Sequence, residues 1–168
     1  MPASKFIKLV AGVFTEEAPV TAGGAPNADK IPALNASGRL DPTMMPTGIV
    51  PETASLEASE NLAAGDFVNV HNSSGAKVRK ADASSAGKPA HGFVLAAVTS
   101  GEQATVYFEG LNDQVSGQTP GEVFLSAAAA GAAVNAAPSG AGNVVQKLGI
   151  AISATAINFE RGEPVTLA

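Results

Sequence analysis

The chain has 168 residues and a mass of 16.6 kDa, with no Cys, no Trp, eight aromatic residues and a formal charge of −5. Without Cys there can be no disulfide scaffold, thiolate nucleophile or Cys-ligated zinc. A pI near 4.9, with no long basic run, argues against nucleic acid as a partner, because phosphate binding needs clustered Lys and Arg.

The first apolar stretch, from Phe6 to Phe14, is broken by Lys8 and runs into Glu16 and Glu17. It supports neither a signal peptide nor a spanning helix, so a soluble protein with no membrane partner is expected. Hydrophobic residues make up 45% of the chain, but 33 of these 76 residues are Ala. Leu, Ile, Val and Phe total 39. The core is therefore expected to be thin, since burying Ala forgoes most of the roughly 1.5–3 kcal/mol that a larger apolar side chain contributes.

Residues 1–51 hold seven of the eleven Pro: Pro2, Pro19, Pro26, Pro32, Pro42, Pro46 and Pro51. Pro removes amide donors and biases the residue before it toward extended backbone, which excludes a long helix or a central strand. An extended Pro-rich N-terminal arm is expected. Its charges cancel, Lys5, Lys8, Lys30 and Arg39 against Glu16, Glu17, Asp29 and Asp41, so the whole −5 lies in residues 52–168. The arm also carries a dozen large apolar residues, among them Phe6, Ile7, Leu9, Val10, Val13, Phe14, Ile31, Leu34, Leu40, Met44, Met45 and Ile49. That is too much apolar surface for a free linker.

From Ser55 onward, short β-branched or aromatic runs alternate with turn residues, and thirteen of the eighteen Gly follow Asn61. This pattern predicts an all-β domain over 52–168, a small sandwich or barrel. The expected strands are 66–71, 76–80, 93–98, 103–109, 122–126, 144–147, 149–153, 156–160 and 164–167. In 103–109, Ala104, Val106 and Phe108 alternate with Thr105, Tyr107 and Glu109, the period of a strand with one buried face. The run 93–98 is apolar on both faces, as in a central strand. Gly at 75, 101 and 162 is expected to supply the positive φ that hairpin turns require. The Ala-rich run 127–137 is not assigned to helix, because Gly131 and Pro138 bracket it too closely.

Candidate chemistry is sparse. His71 and His91 would need a third ligand or an orienting carboxylate, such as Asp66 or Asp82, to hold a metal or act as a base. Two surface or loop histidines is the plainer reading. No nucleophile elbow, Walker A sequence or dinucleotide fingerprint occurs, and the acidic residues show no paired spacing. The triplets Asn35-Ala36-Ser37 and Asn72-Ser73-Ser74 are glycosylation acceptors only in a secreted eukaryotic chain and are read as chance. Lys77, Arg79 and Lys80 share one run, read as an edge strand that uses Lys to block further pairing. The chain is expected to be no enzyme and to bind no cofactor or metal.

The segment 27–49, NADKIPALNASGRLDPTMMPTGI, is similar to a segment found in virion proteins of tailed bacteriophages, with the pattern K-I-P-x-L-(N/D)-x-x-G-x-L-D complete from Lys30 to Asp41. The second half, with LAAGDFVNV at 62–70, GAKVRKADAS at 75–84, AHGFVLAAV at 90–98 and the C-terminal run from Val144, resembles the small capsid decoration, or cement, proteins of the same viruses. The resemblance implies a structural protein on the outer capsid surface that bridges neighbouring major capsid subunits, with a β domain and assembly as a homotrimer. The expected partner contacts are Ile31, Leu34, Leu40, Met44 and Met45. Two readings stand beside it: a head or tail fibre protein with an adhesive C-terminal domain, and a small β-domain enzyme with a pocket of converging polar groups.

Overall fold

A computed structural model describes residues 5–36, 38–45 and 52–168. Pro2, Ser37, Pro46, Ile49 and Pro51 lie outside the described residues. The backbone contacts divide the chain into two units, Met1–Val50 and Pro51–Ala168. Among the described residues there is no α-helix; two 3-10 turns, Ala25–Asn27 and Pro42–Met44, accompany the strands.

In the first unit β1 (Phe6–Val10) and β2 (Val13–Glu17) form an antiparallel hairpin, where only an extended arm was expected. The reason lies in the two linking residues. Ala11 and Gly12 both adopt positive φ, 49° and 83°, the backbone of the tight turn whose twist matches the strands it joins. No Pro falls between Phe6 and Glu17 to interrupt the ladder.

The second unit opens with β3 (Thr53–Ala58), followed by β4 (Phe67–Asn72), β5 (Ala76–Lys80), β6 (Gly92–Phe93) and β7 (Gln103–Tyr107). These five close into a barrel in the order β3-β5-β4-β6-β7, with β7 returning to β3. Only β3 and β5 run parallel. After them come β8 (Gly110–Asn112), β9 (Gly121–Leu125), β10 (Ala133–Val134), β11 (Val144–Val145), β12 (Lys147–Ser153), β13 (Ala156–Phe159) and β14 (Val165–Thr166). They build a five-stranded antiparallel sheet, β10-β9-β12-β13-β8, and a β11-β14 pair.

Strand alternation makes two cores from one barrel wall. Ala58, Val68, Val78, Val94, Ala104 and Val106 form one fully buried cluster with Leu62, which fills the barrel, and Phe108 packs against it half-buried. Phe67, Phe93 and Tyr107, on the opposite side of the same strands, meet Val123, Leu125, Leu148, Ala151, Ile157 and Phe159 of the five-stranded sheet. Phe159 sits 5.5 Å from Phe67 and 5.7 Å from Phe93, ring centre to ring centre, and Phe93 stacks on Tyr107 at 5.5 Å. The expected faces of 103–109 hold in part: Ala104 and Val106 are buried and Thr105 and Glu109 exposed, but Tyr107, expected on the open face, is half-buried against the second core, and the strand ends there.

Three expectations need correction. The run 93–98 does not continue as a central strand: β6 ends at Phe93, Val94 bonds to Asp66 and Gly65, and the chain rejoins a partner only where Val98 bridges Leu62. Phe93 and Val94 do face the two separate cores, which explains the apolar signal on both faces. The basic run is not an edge, because β5 is paired on both sides, with β3 and with β4. Its cations are used inside the sheet, Lys77 against Glu57 at 2.7 Å, Lys80 against Asp66 at 3.1 Å and Arg79 Nε donating to Asn69 Oδ1 at 3.0 Å. The run 144–147 splits into β11 and the start of β12 at Gln146, whose side chain turns inward and is fully buried. The Ala-rich run 127–137 forms a turn and β10 rather than a helix.

Candidate functional site

The segment 30–41 has a clear division of labour. Lys30, Asn35, Gly38 and Asp41 are engaged within the first unit. Asn35 Oδ1 accepts from the Arg39 amide at 3.1 Å, the Asn35 amide donates to Arg39 O at 2.8 Å, and Gly38 takes a φ of 70° to close that loop. Asp41 Oδ1 accepts from the Thr43 amide at 3.0 Å and from its hydroxyl, nucleating the Pro42–Met44 turn. Those two bonds hold the Asp41 carboxyl below its usual range. Lys30 pairs with Glu17 of β2, and that hydrogen bond is the main reason the Glu17 carboxyl is also lowered. The Thr43 hydroxyl accepts from the Gly23 amide at 2.8 Å, and the Val20 amide donates to Ile31 O at 2.9 Å, tying the segment to residues 20–23.

The apolar positions of the segment are left outside. Ile31, Leu34, Leu40 and Met45 remain 37%, 58%, 45% and 38% exposed, and Met44 is half-buried. Covering these partly exposed side chains would return only part of the roughly 1.5–3 kcal/mol that burying a fully exposed one contributes.

The histidines are less exposed than a surface or loop reading implies. His71 Nε2 lies 2.9 Å from Ser59 Oγ on the barrel's outer side, and burial, with Arg79 and Lys77 nearby, lowers its pKa. His91 is partly buried, and its Nδ1 accepts from the Val70 amide at 3.0 Å. Burial first, and Arg161 second, press its pKa below the usual 6.5. Neither candidate carboxylate is turned to this purpose: Asp66 accepts from the Ala63 amide at 2.8 Å and pairs with Lys80, and Asp82 accepts from the Ser84 amide at 2.8 Å. The hollow beside His71, about 480 Å³, is lined by Val70, Asn72, Gly75 and Ala76 and contains no second titratable side chain. Among the described residues no group of three or more His, Asp or Glu is arranged to hold a metal ion.

Beside His91 lies a buried amide that sequence reading passed over. Gln146 accepts from the Ala90 amide at 2.7 Å and donates to Ala90 O at 2.9 Å and Gly162 O at 3.1 Å. It joins the barrel's β6 approach to the C-terminal segment, with no polar atom wasted. A lone Gln between two Val and a Lys offers no periodicity that would reveal it.

Two further apolar surfaces lie outside this segment. The hairpin exposes Phe6, Ile7, Leu9, Val10, Val13 and Phe14, and the five-stranded sheet exposes Leu111, Ile150 and Ile152. The signal for the first was present, apolar residues at 6–10 and 13–14 on either side of Ala11-Gly12. No family model, curated protein or solved structure matches this chain.

Proposed function

We propose that this chain is a structural virion protein that binds the outer surface of a tailed-phage capsid and bridges neighbouring major capsid subunits. Its N-terminal residues act as the reaching arm and the β domain as the body, and the protein runs no reaction of its own. The observation that carries the reading is the segment 30–41, where the large apolar residues Ile31, Leu34 and Leu40 are exposed while Asn35, Gly38 and Asp41 are spent on holding it in place. A segment built for its own core would bury those side chains. One built as a spacer would lack them.

The test is co-sedimentation of the purified full-length protein with empty capsids. Replacing Leu34 and Leu40 together with Asp should reduce the bound protein at least tenfold, because a carboxylate buried without a partner is costly. The circular dichroism of the β domain should stay unchanged. Undiminished decoration by the double variant would remove the arm from the contact.

The fibre reading retains one supporting observation. Leu111 and Ile150, on β8 and β12, lie in one cross-strand row through Asn158 of β13, and Ile152 follows on the same side. These residues are 49%, 50% and 58% exposed, an apolar surface that an adhesive β domain would use. Binding of the protein to host cells but not to capsids would favour it.

A further inference from the structure

We propose that the barrel takes up an extended peptide of another protein along β7, in the seam where β6 stops short, and that the peptide suited to it has an apolar centre and basic ends. The barrel closes there through a single pair, Phe93 with Tyr107. Beyond that pair the chain turns away: Val94 bonds to Asp66 and Gly65, and Val98 to Leu62. Among the described residues Leu95, Ala96 and Ala97 make no backbone hydrogen bond. The facing edge of β7 is open for the same reason. The Phe108 amide donates to Glu52 O at 3.0 Å and the Ala58 amide to Glu102 O at 2.9 Å, so in between Ala104 and Val106 turn their backbone groups to β3. In an antiparallel ladder the alternate residues turn theirs the other way. Tyr107 meets Phe93 there, but the N–H and C=O of Gln103 and Thr105 meet no strand.

Three observations choose the occupant. Unpaired backbone groups in a row are a template for strand addition. None of the features that blunt an edge is present: Gln103–Tyr107 holds no Pro and no charged residue, and its register with β3 runs without a bulge. The space beside that edge is a hollow of about 290 Å³ with walls on two sides, Leu95 and Val98 on one, Thr105 and Tyr107 on the other. It admits one extended segment rather than the edge of a folded sheet, and lies at the bottom of the roughly 300–1,000 Å³ that small-molecule sites occupy. Leu95, Val98 and Tyr107, all half-buried, give a side chain of that segment an apolar seat. Charge sets its ends. Glu102 and Glu109 flank β7 without an ion pair among the described residues, and no Lys or Arg lies between Lys88 and Lys147. Lys or Arg at the ends of the segment matches that field, whereas a second copy of this β domain, at −5, opposes it.

The probe is a labelled synthetic peptide with blocked ends, Lys-Thr-Val-Thr-Val-Thr-Lys, added to the full-length protein. Fluorescence anisotropy should show saturable binding, and the Thr105 amide, quick to exchange in the free protein, should slow at least tenfold when the peptide is bound. Thr105→Pro removes an amide that faces the seam and spares the ladder to β3, while Ala96→Phe fills the hollow from an exposed position. Each should weaken binding roughly tenfold with the unfolding midpoint little changed. If Thr105→Pro disturbs folding, Ala96→Phe and the peptide variants decide. The same peptide with every amide methylated should not bind, and replacing both its Lys by Glu should weaken it. No saturable binding, equal binding of the methylated or Glu-ended peptide, slow exchange at Thr105 in the free protein, or full binding by Ala96→Phe would each overturn the proposal. No capsid is present in these measurements, so their failure is distinct from failure of the capsid-binding reading.

Discussion

The two units of this chain use the same kinds of residue to opposite ends. In residues 52–168 large apolar side chains are buried in two clusters on either side of one barrel wall. In the described part of residues 1–50 no side chain reaches full burial, and Phe6, Ile7, Leu9, Val10, Val13, Phe14, Ile31, Leu34, Leu40 and Met45 all stand exposed. The polar groups differ in the same way. Gln146 and Asn112 spend their amides inside the β domain, on Ala90, Gly162 and Gly65. Asn35 and Asp41 spend theirs on turns that keep apolar neighbours outward. The difference teaches that apolar residues of the same kinds build a core in one unit and stay at the surface in the described part of the other.

The largest expected effect tests that separation. Phe93 contacts Phe67, Tyr107 and Phe159 and is 1% exposed, so Phe93→Ala should cost about 3–5 kcal/mol. In a domain whose total stability is about 5–15 kcal/mol, the midpoint of denaturant unfolding must fall sharply. Phe14→Ala removes the same side chain from a position 76% exposed and should leave that midpoint in place. Equal effects from the two substitutions would show that the units share one core.

Sequence reading reached the β domain better than the N-terminal unit for a physical reason. Alternation in 103–107 reflects a face that is buried within the chain, and the pattern survives in the structure at Ala104 and Val106. The same reading assigned 93–98 to a strand, because an apolar signal cannot distinguish a strand between two cores from a short bridge with a bend after it. Edge or centre is likewise invisible locally: β5 carries Lys77, Arg79 and Lys80, yet Glu57 and Asp66 come from elsewhere in the sheet to meet two of them. In the N-terminal unit the Pro residues dominated the reading and concealed the hairpin, although Ala11-Gly12 between two apolar runs marks its turn. The exposure of Ile31, Leu34, Leu40 and Met45 follows a stretch whose apolar residues have neither a helical nor a strand period.

A second, smaller effect tests whether the β domain is closed to solvent at its polar joint. The Val70 amide needs an unprotonated Nδ1 on His91, and burial together with Arg161 opposes the charged form. The folded pKa is therefore below the usual 6.5, the unfolded chain binds more protons in this range, and stability rises with pH. His91 contributes its full share above about pH 6.5 and loses it as pH falls through the lower folded value; His71, also lowered, acts in the same direction. Thermal unfolding followed from pH 7.5 to 5 should show this slope, and His91→Gln, which keeps an acceptor and cannot titrate, should flatten it. An unchanged slope would place the pH sensitivity at His71 or the carboxylates.

The smallest effect sharpens the comparison from the other side, by stabilising the incomplete unit alone. Ala11 holds a φ of 49°, a conformation costing about 1 kcal/mol or more for a residue with a Cβ, beside Gly12 at 83°. Gly at position 11 relieves that cost but adds freedom to the unfolded chain, so Ala11→Gly should favour the hairpin by only about 0.5–1 kcal/mol. Amide exchange within the Val10–Val13 pairing should slow by a few-fold, while the unfolding midpoint of residues 52–168 stays where it was. Exchange at an unchanged rate would mean that the Ala11 backbone does not limit the hairpin.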